Sequence, residues 1–308
     1  MEIAEAGILV LTGIASLLVG GNNLSACSGT LIGARVVSKA AGVGLAALGY
    51  VLGLILEGKK LELLRREILP GSSAAGVSLI LLVIVVILVL GQMARIPISL
   101  SQALVGSTIA LALHQGIAIR GSYLFLILAA WTVGPMAAAA LAGTGVVLHD
   151  RVAVESLWRR LGISKLLLIL VAFFTAYSLG ANTLGSIAAI SPIDFNLTLS
   201  VAGVSAMVGA FILGSGVARR IGEGMYSLTY STALSSQLAG SMIVEAATQL
   251  GIPISVTQTV ASGIIGAAYS RKYRVLNRRS VLLVVSSWVI APLLGFAATI
   301  LALSAMPV

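Results

Sequence analysis

Along this chain, apolar residues come in runs of about twenty, separated by short polar or Gly/Pro-rich stretches, and no long segment alternates as a surface strand or helix would. Runs of that length match a ~30 Å hydrocarbon core. Lipid offers the backbone no hydrogen-bond partner, so each run is predicted to be a helix. The pattern places spans near 6–20, 38–57, 73–92, 97–115 and 121–143, and a second set near 164–180, 198–218, 229–249, 253–270 and 281–305. The predicted fold class is an all-α integral membrane protein.

The two sets correspond in order. "GGNN" at 20–23 precedes "GANT" at 180–183 by 160 positions, "PISLSQ" at 97–102 precedes "PISVTQ" at 253–258 by 156, and Trp131 with Pro135 precedes Trp288 with Pro292 by 157. Three landmarks at nearly constant offset indicate an internal duplication: residues 1–143 form a first transmembrane repeat, 144–163 a linker and 164–308 a second repeat. Five spans is an odd number, so the second repeat is expected to enter the membrane from the opposite side.

The basic residues test that expectation independently. With both termini outside, the inner side receives Arg35, Lys39, Arg95, Arg151, Arg159, Arg160, Lys165, Arg219, Arg220, Arg271, Lys272, Arg274, Arg278 and Arg279. The outer side keeps Lys59, Lys60, Arg65, Arg66 and Arg120. Fourteen against five is the bias of cytoplasmic loops, and a repeat inserted the same way up would destroy it. Two inverted-topology repeats of about five spans, broken at matching places, are a secondary-transporter layout.

The breaks carry the candidate chemistry. Gly20, Gly21 and Gly180 permit unwinding, after which Asn22, Asn23, Asn182 and Thr183 can cap a new half-helix. Pro97 and Pro253 suit the first turn of a helix, with Ser99, Ser101, Ser255 and Thr257 offering hydroxyls just inside it. Freed N–H groups and the positive end of a helix dipole bind an anion without any cationic side chain. Any single Gly or Ser here also suits close helix packing, but four breaks at corresponding places suggest that each repeat contributes half of one pocket, with broken or re-entrant helices at the site. Ser25, Thr30, Gln102 and Gln258 complete the candidate set.

Composition narrows the classes. Of 308 residues, 58% are hydrophobic and 9% charged, and the mean hydropathy is +1.09; a soluble chain carries about a quarter charged residues. The net charge of +9 fits inner loops facing anionic lipid, and no soluble basic domain remains to bind nucleic acid. Residues 1–6 hold two Glu and no Lys or Arg, so no cleavable leader is expected. Cys27 stands alone and forms no intrachain disulfide. His114 and His149 lack neighbours at metal-ligand spacing, and no G-x-x-x-x-G-K-[ST] is present, so neither a zinc site nor an ATPase is expected. No nucleophile, base and orienter are arranged as in an enzyme. Arg35 and Arg95 sit close to the breaks and serve either an anion or the inner-side bias.

With these motifs in place, the sequence resembles the inorganic phosphate transporter (PiT) family over both halves. "GGNNLSACSGTLIGAR" (20–35) is similar to that family's G-A-N-D-V-A-N-A-x-G-T-x-x-G-[AS]-K and keeps Gly20, Asn22, Gly29, Thr30 and Gly33. "GANT" keeps Gly180, Ala181 and Asn182, "PISLSQ" and "PISVTQ" look like P-[VI]-S-T-T-H, and "WVIAP" (288–292) looks like W-V-x-T-P. The resemblance implies symport of a tetrahedral oxyanion, usually phosphate with sodium or protons, at a site built by both repeats. It departs chemically: Asn23 and Thr183 stand where the family has Asp, Gln102 and Gln258 replace His, and Gln237 replaces a Glu.

The expectation is therefore a multi-pass plasma-membrane carrier of inorganic phosphate, with no organic cofactor, with H+ or Na+ as coupling ion, and with the bilayer and a possible homodimer as partners. Sulfate is the alternative substrate, because a pocket without carboxylates leaves a phosphate hydroxyl less well paired. An anion channel is the more distant one. Hard cations favour charged oxygen ligands, so the missing Asp residues weigh against sodium. Of the remaining acids near spans, Asp194, Glu223 and Glu245, only Glu245 falls inside a predicted span of the second repeat. It joins Gln237 as a coupling-ion candidate, since an acid in a membrane is costly and points to function, unless it is solvated near the outer interface.

Overall fold

The structure is a computed structural model that describes residues 3–94, 98–151, 157–213, 229–271 and 278–305. The predicted repeat is visible in its helices. The first half runs α1 (Ile3–Asn22), α2 (Leu24–Gly33), α3 (Lys39–Glu57), a 3-10 turn (Gly58–Leu61), α4 (Glu62–Ile68), α5 (Ala74–Ala94), α6 (Leu100–His114) and α7 (Gly121–Arg151). The second runs α8 (Leu157–Leu179), a π-turn (Gly180–Leu184), α9 (Gly185–Ala189), α10 (Phe195–Ile212), α11 (Tyr230–Gln249), α12 (Val256–Ser270) and α13 (Arg278–Ser304). Helix continues through most of the expected linker 144–163, since α7 reaches Arg151 and α8 begins at Leu157. Arg95, Pro97, Arg219, Arg220, Glu223, Lys272 and Arg274 lie outside the described residues, as does the side chain of Ser25.

Seven helices among the described residues are long and apolar enough to cross a membrane: 5–33, 39–68, 74–94, 121–151, 161–189, 195–212 and 281–304. The expected spans 97–115 and 253–270 are instead half-helices of fifteen residues, about 22 Å at 1.5 Å per residue, too short to cross. Each folds back as the short arm of a hairpin. Gln115, just past α6, donates to Ser73 Oγ at the start of α5 (3.3 Å). Arg271, just past α12, reaches Asp150 at the end of α7 (2.7 Å) and Ser231 at the start of α11 (2.6 Å). The roots of the two hairpins thus lie at opposite ends of the 31-residue α7, whose first turn follows Arg120 and whose last turn holds Asp150. That is the inversion expected from the odd span count.

Packing exchanges elements between the repeats: α1 lies on α10 and α3 on α8, while α7 lies on α12 and α13 on α6. Glycines make this possible. A Cβ at Gly20 would fall 2.0 Å from the Ala206 carbonyl oxygen and one at Gly180 2.1 Å from that of Tyr50; at Gly53 and Gly209 it would fall 1.9 Å from the carbonyls of Tyr177 and Leu17. Both pairs of contacts are related by the same 156–160 offset, so one pseudo-two-fold relation governs them. Without these glycines the broken helices could not approach the helices that brace them.

α11 is too polar to be counted among the spans. Ser231, Thr232, Ser235, Ser236, Gln237, Ser241 and Thr248 are all buried in it. Ser241 Oγ donates to Thr175 Oγ1 on α8 (2.8 Å). A wholly apolar helix could not have formed this hydrogen bond between α11 and α8.

Candidate anion-binding site

The twice-written Pro-hydroxyl phrase adopts the same local structure twice. Ser99 caps α6 at φ −78°, ψ 114° and accepts from Gln102 N at 3.4 Å; Ser255 caps α12 at φ −87°, ψ 117° and accepts from Gln258 N at 3.3 Å. The extended backbone and short hydroxyl are what an N-cap requires. The two first turns then meet: Gln102 Nε2 donates to Gln258 Oε1 at 3.2 Å, and Gln258 Nε2 donates to the Trp131 carbonyl at 3.1 Å. Trp131 in turn donates its indole N–H to the carbonyl of Pro253 (2.9 Å), fixing the turn before α12.

Between these ends lies a cavity of about 40 Å³, room for a few waters or one compact ion and not for an organic solute. Its polar lining is Asn22, Asn23, Ser101, Thr183, Ser255 and Thr257, drawn from the broken helix and the half-helix of each repeat; Val19, Leu88, Ile98, Leu100 and Val256 supply apolar wall. No charged side chain lines it. Ser255 Oγ and Thr257 Oγ1 are 2.9 Å apart. Ser101 is 1% exposed and its hydroxyl has no protein partner. A buried hydroxyl left unpaired costs about 1–3 kcal/mol. Two helix N-termini, a row of hydroxyls and one unsatisfied donor around a compact space form an anion site built from dipoles alone.

Several sequence candidates sit elsewhere. Asn182 is fully buried, but its carboxamide is committed: Nδ2 donates to Thr248 Oγ1 (3.0 Å) and the Ile252 carbonyl (2.9 Å), and Oδ1 accepts from Ile254 N (2.9 Å). It clamps the turn that delivers Ser255 and is absent from the cavity lining, so the geometry gives it a positioning role in place of the expected ligand role. Asn182→Ala should loosen that turn and weaken anion binding at least as much as loss of a cavity hydroxyl, about 1–3 kcal/mol, as read by equilibrium binding. Thr30 donates to Gln237 Oε1 (3.3 Å), whose Nε2 donates to the Ala26 and Cys27 carbonyls (2.9 and 3.1 Å). This pair docks α2 on α11, away from the cavity. Glu245 is half-buried near the end of α11 and faces Ser178 and Gln249, also outside the cavity. Asn23 donates to the Val19 carbonyl (3.2 Å) while lining the cavity.

Sequence reasoning did not single out Thr248 and Trp131 as supports, or Val19 and Leu88 as walls. The Ser/Thr stripe of α11 hinted at the first; for the others, no local signal distinguishes a cavity wall from any other apolar position in a span.

Comparison with known proteins agrees with this architecture. The profile of the phosphate transporter family (PHO4) matches residues 19–161 and again 149–302, one match per repeat. The chain belongs to the phosphate transporter family. This family member is 21% identical over 293 residues to a Methanocaldococcus jannaschii protein named "Putative phosphate permease MJ0630", covering 93% of each chain. It is 34% identical over 94 residues to a Haemophilus influenzae "Putative phosphate permease", covering 30% of this chain and 22% of that one. Its fold matches the solved structure titled "The sodium-dependent phosphate transporter" at a TM-score of 0.82 and 17% identity, over 99% of this chain and 100% of the other. The family and this neighbour are transporters, not enzymes.

Proposed function

We propose that this family member carries inorganic phosphate across the plasma membrane, bound in the cavity between the N-termini of α6 and α12. The observation that carries the reading is the convergence of both repeats on one compact, uncharged, hydroxyl-lined space with Ser101 unpartnered. Alternating access then needs only that the pseudo-symmetric halves rock about that fixed point. A lining without carboxylates gives a hard cation only neutral oxygens, so transport is coupled to protons or to an exchanged anion, and sodium contributes little.

Sulfate is the second reading, favoured by the same lining. Sulfate needs only donors, whereas a phosphate hydroxyl also needs an acceptor, which here falls to hydroxyl and carboxamide oxygens. Flux of labelled phosphate and labelled sulfate into proteoliposomes, under separate sodium and proton gradients, tests both. Phosphate flux that ignores sodium supports the first reading; saturable flux of sulfate alone supports the second; flux that never saturates would indicate a channel.

Two further outcomes are expected. Ser101→Ala and Ser255→Ala should each weaken anion binding by about 1 kcal/mol, roughly fivefold, as for one lost hydrogen bond, and Ser255→Ala should cost more because it also removes the α12 cap. Unchanged affinity in both would place the anion elsewhere. Termini outside predict that Val275→Cys, in a Cys27→Ala background, is labelled only from the cytoplasmic side; labelling by an impermeant reagent from outside would reverse the orientation.

A further inference from the structure

Away from the cavity, a second polar cluster joins the two repeats. Glu57 ends α3 of the first repeat, and Glu245 lies in α11 of the second. Gln249 Nε2 is 2.6 Å from Glu57 Oε2 and 2.6 Å from Glu245 Oε1, one amide nitrogen serving both carboxyl groups. Those two carboxyl oxygens therefore lie no more than about 5 Å apart. Lys60, in the 3-10 turn, pairs with Glu57 at 3.2 Å and donates to Gln249 Oε1. From α8, Tyr177 faces Glu57, and Ser178 approaches Glu245 Oε2 at 3.5 Å.

Two ionised carboxylates held this close repel each other, and one proton on either relieves that repulsion. Lys60 supplies a single positive charge. With one proton the triad of Glu57, Glu245 and Lys60 is neutral; without it, two anions face each other across partly buried ground. We infer that Glu57 and Glu245 share one proton, and that binding or release of this proton makes or breaks the contact between α3 and α11. Only a proton moves: it joins a carboxylate oxygen when this face closes and returns to water when the face opens.

The cluster is mechanically tied to the cavity. Thr248 lies one turn beyond Glu245 on α11, and it takes the Asn182 hydrogen bond whose other partners are Ile252 and Ile254, just before Ser255. Closing α11 onto α3 therefore seats the clamp that positions Ser255 and Thr257. The carboxyl pair is then the coupling element of the carrier, a role that rests on the phosphate reading above.

The test uses wild-type protein, Glu57→Gln and Glu245→Gln in proteoliposomes. Phosphate counterflow without a gradient needs no net proton movement and should stay within about twofold of wild type in both variants. An inward gradient of one pH unit should raise wild-type accumulation up to about tenfold, one proton's worth, and should raise neither variant's. A variant that keeps the wild-type gradient response overturns the inference, as does loss of counterflow in a variant that melts normally. Infrared spectra supply a reading independent of variant folding: wild type at neutral pH should show the carbonyl stretch of a protonated carboxyl that titrates with bulk pH, and its absence also overturns the inference. If wild type shows counterflow of neither phosphate nor sulfate, the transport reading fails while the infrared band still decides whether the proton is shared.

Discussion

Gly53→Ala should yield no stable, monodisperse protein, and Gly209→Ala should behave the same way. The added methyl group would sit 1.9 Å from the Tyr177 carbonyl oxygen in the first case and 1.9 Å from that of Leu17 in the second. Overpacking a core that can shift a side chain costs about 1–3 kcal/mol. Here the obstacle is helix backbone, and relief means separating α3 from α8 or α10 from α1, the contacts that brace the broken helices. Several kcal/mol is a large share of a typical stability of about 5–15 kcal/mol. The control lies on the same helix: a Cβ at Gly44 meets nothing within 4 Å, so Gly44→Ala should be neutral or gain up to about 1 kcal/mol in helix propensity. Melting of detergent-solubilised protein checks both. A Gly53→Ala protein that melts with wild type would refute the close approach of α3 and α8.

The second large effect is on coupling. Asn23 and Thr183 stand at the family's two Asp positions, and both line the cavity. Asn23→Asp with Thr183→Asp should convert sodium-indifferent phosphate uptake into uptake that sodium stimulates by about tenfold or more, a coupling of 1.4 kcal/mol or above. Two carboxylates placed between the helix N-termini would repel an oxyanion and favour a hard cation with oxygen ligands. Without sodium the double variant should transport more slowly than wild type. Uptake by the double variant that ignores sodium, or wild-type uptake that strictly requires it, would show that the neutral lining already binds a cation through its carboxamide, hydroxyl and backbone oxygens.

Much of this molecule follows from its one-dimensional pattern. Runs of about twenty apolar residues specify membrane helices, because no other backbone arrangement satisfies itself in lipid. The offset between "GGNN" and "GANT", and between "PISLSQ" and "PISVTQ", specifies a duplication, and the odd count of apolar segments per repeat predicts its inversion even though α6 and α12 fold back without crossing. The hydroxyl phrases are legible for the same reason: N-cap chemistry is local, and Ser99 and Ser255 cap their helices with almost identical angles. The length of those segments was harder to read. Hydropathy sees apolar residues running on from α6 and α12 but not the helix ends that make them half-helices.

Which side chains bind and which brace was decided only by tertiary structure. Asn22 and Asn182 occupy equivalent places in the repeat, yet Asn22 lines the cavity while Asn182 is fully spent on Thr248, Ile252 and Ile254. Thr30 shares a motif with cavity residues but faces Gln237, 207 positions away. Glu245 reads as a lone acid in a span until Glu57, from the other repeat, is placed against the same Gln249 nitrogen. A helical period determines which face of a helix a residue occupies, but it carries no information about what packs on that face. That partner depends on contacts between segments 66 to 207 residues apart, and these are set by glycines small enough to let one helix backbone rest on another.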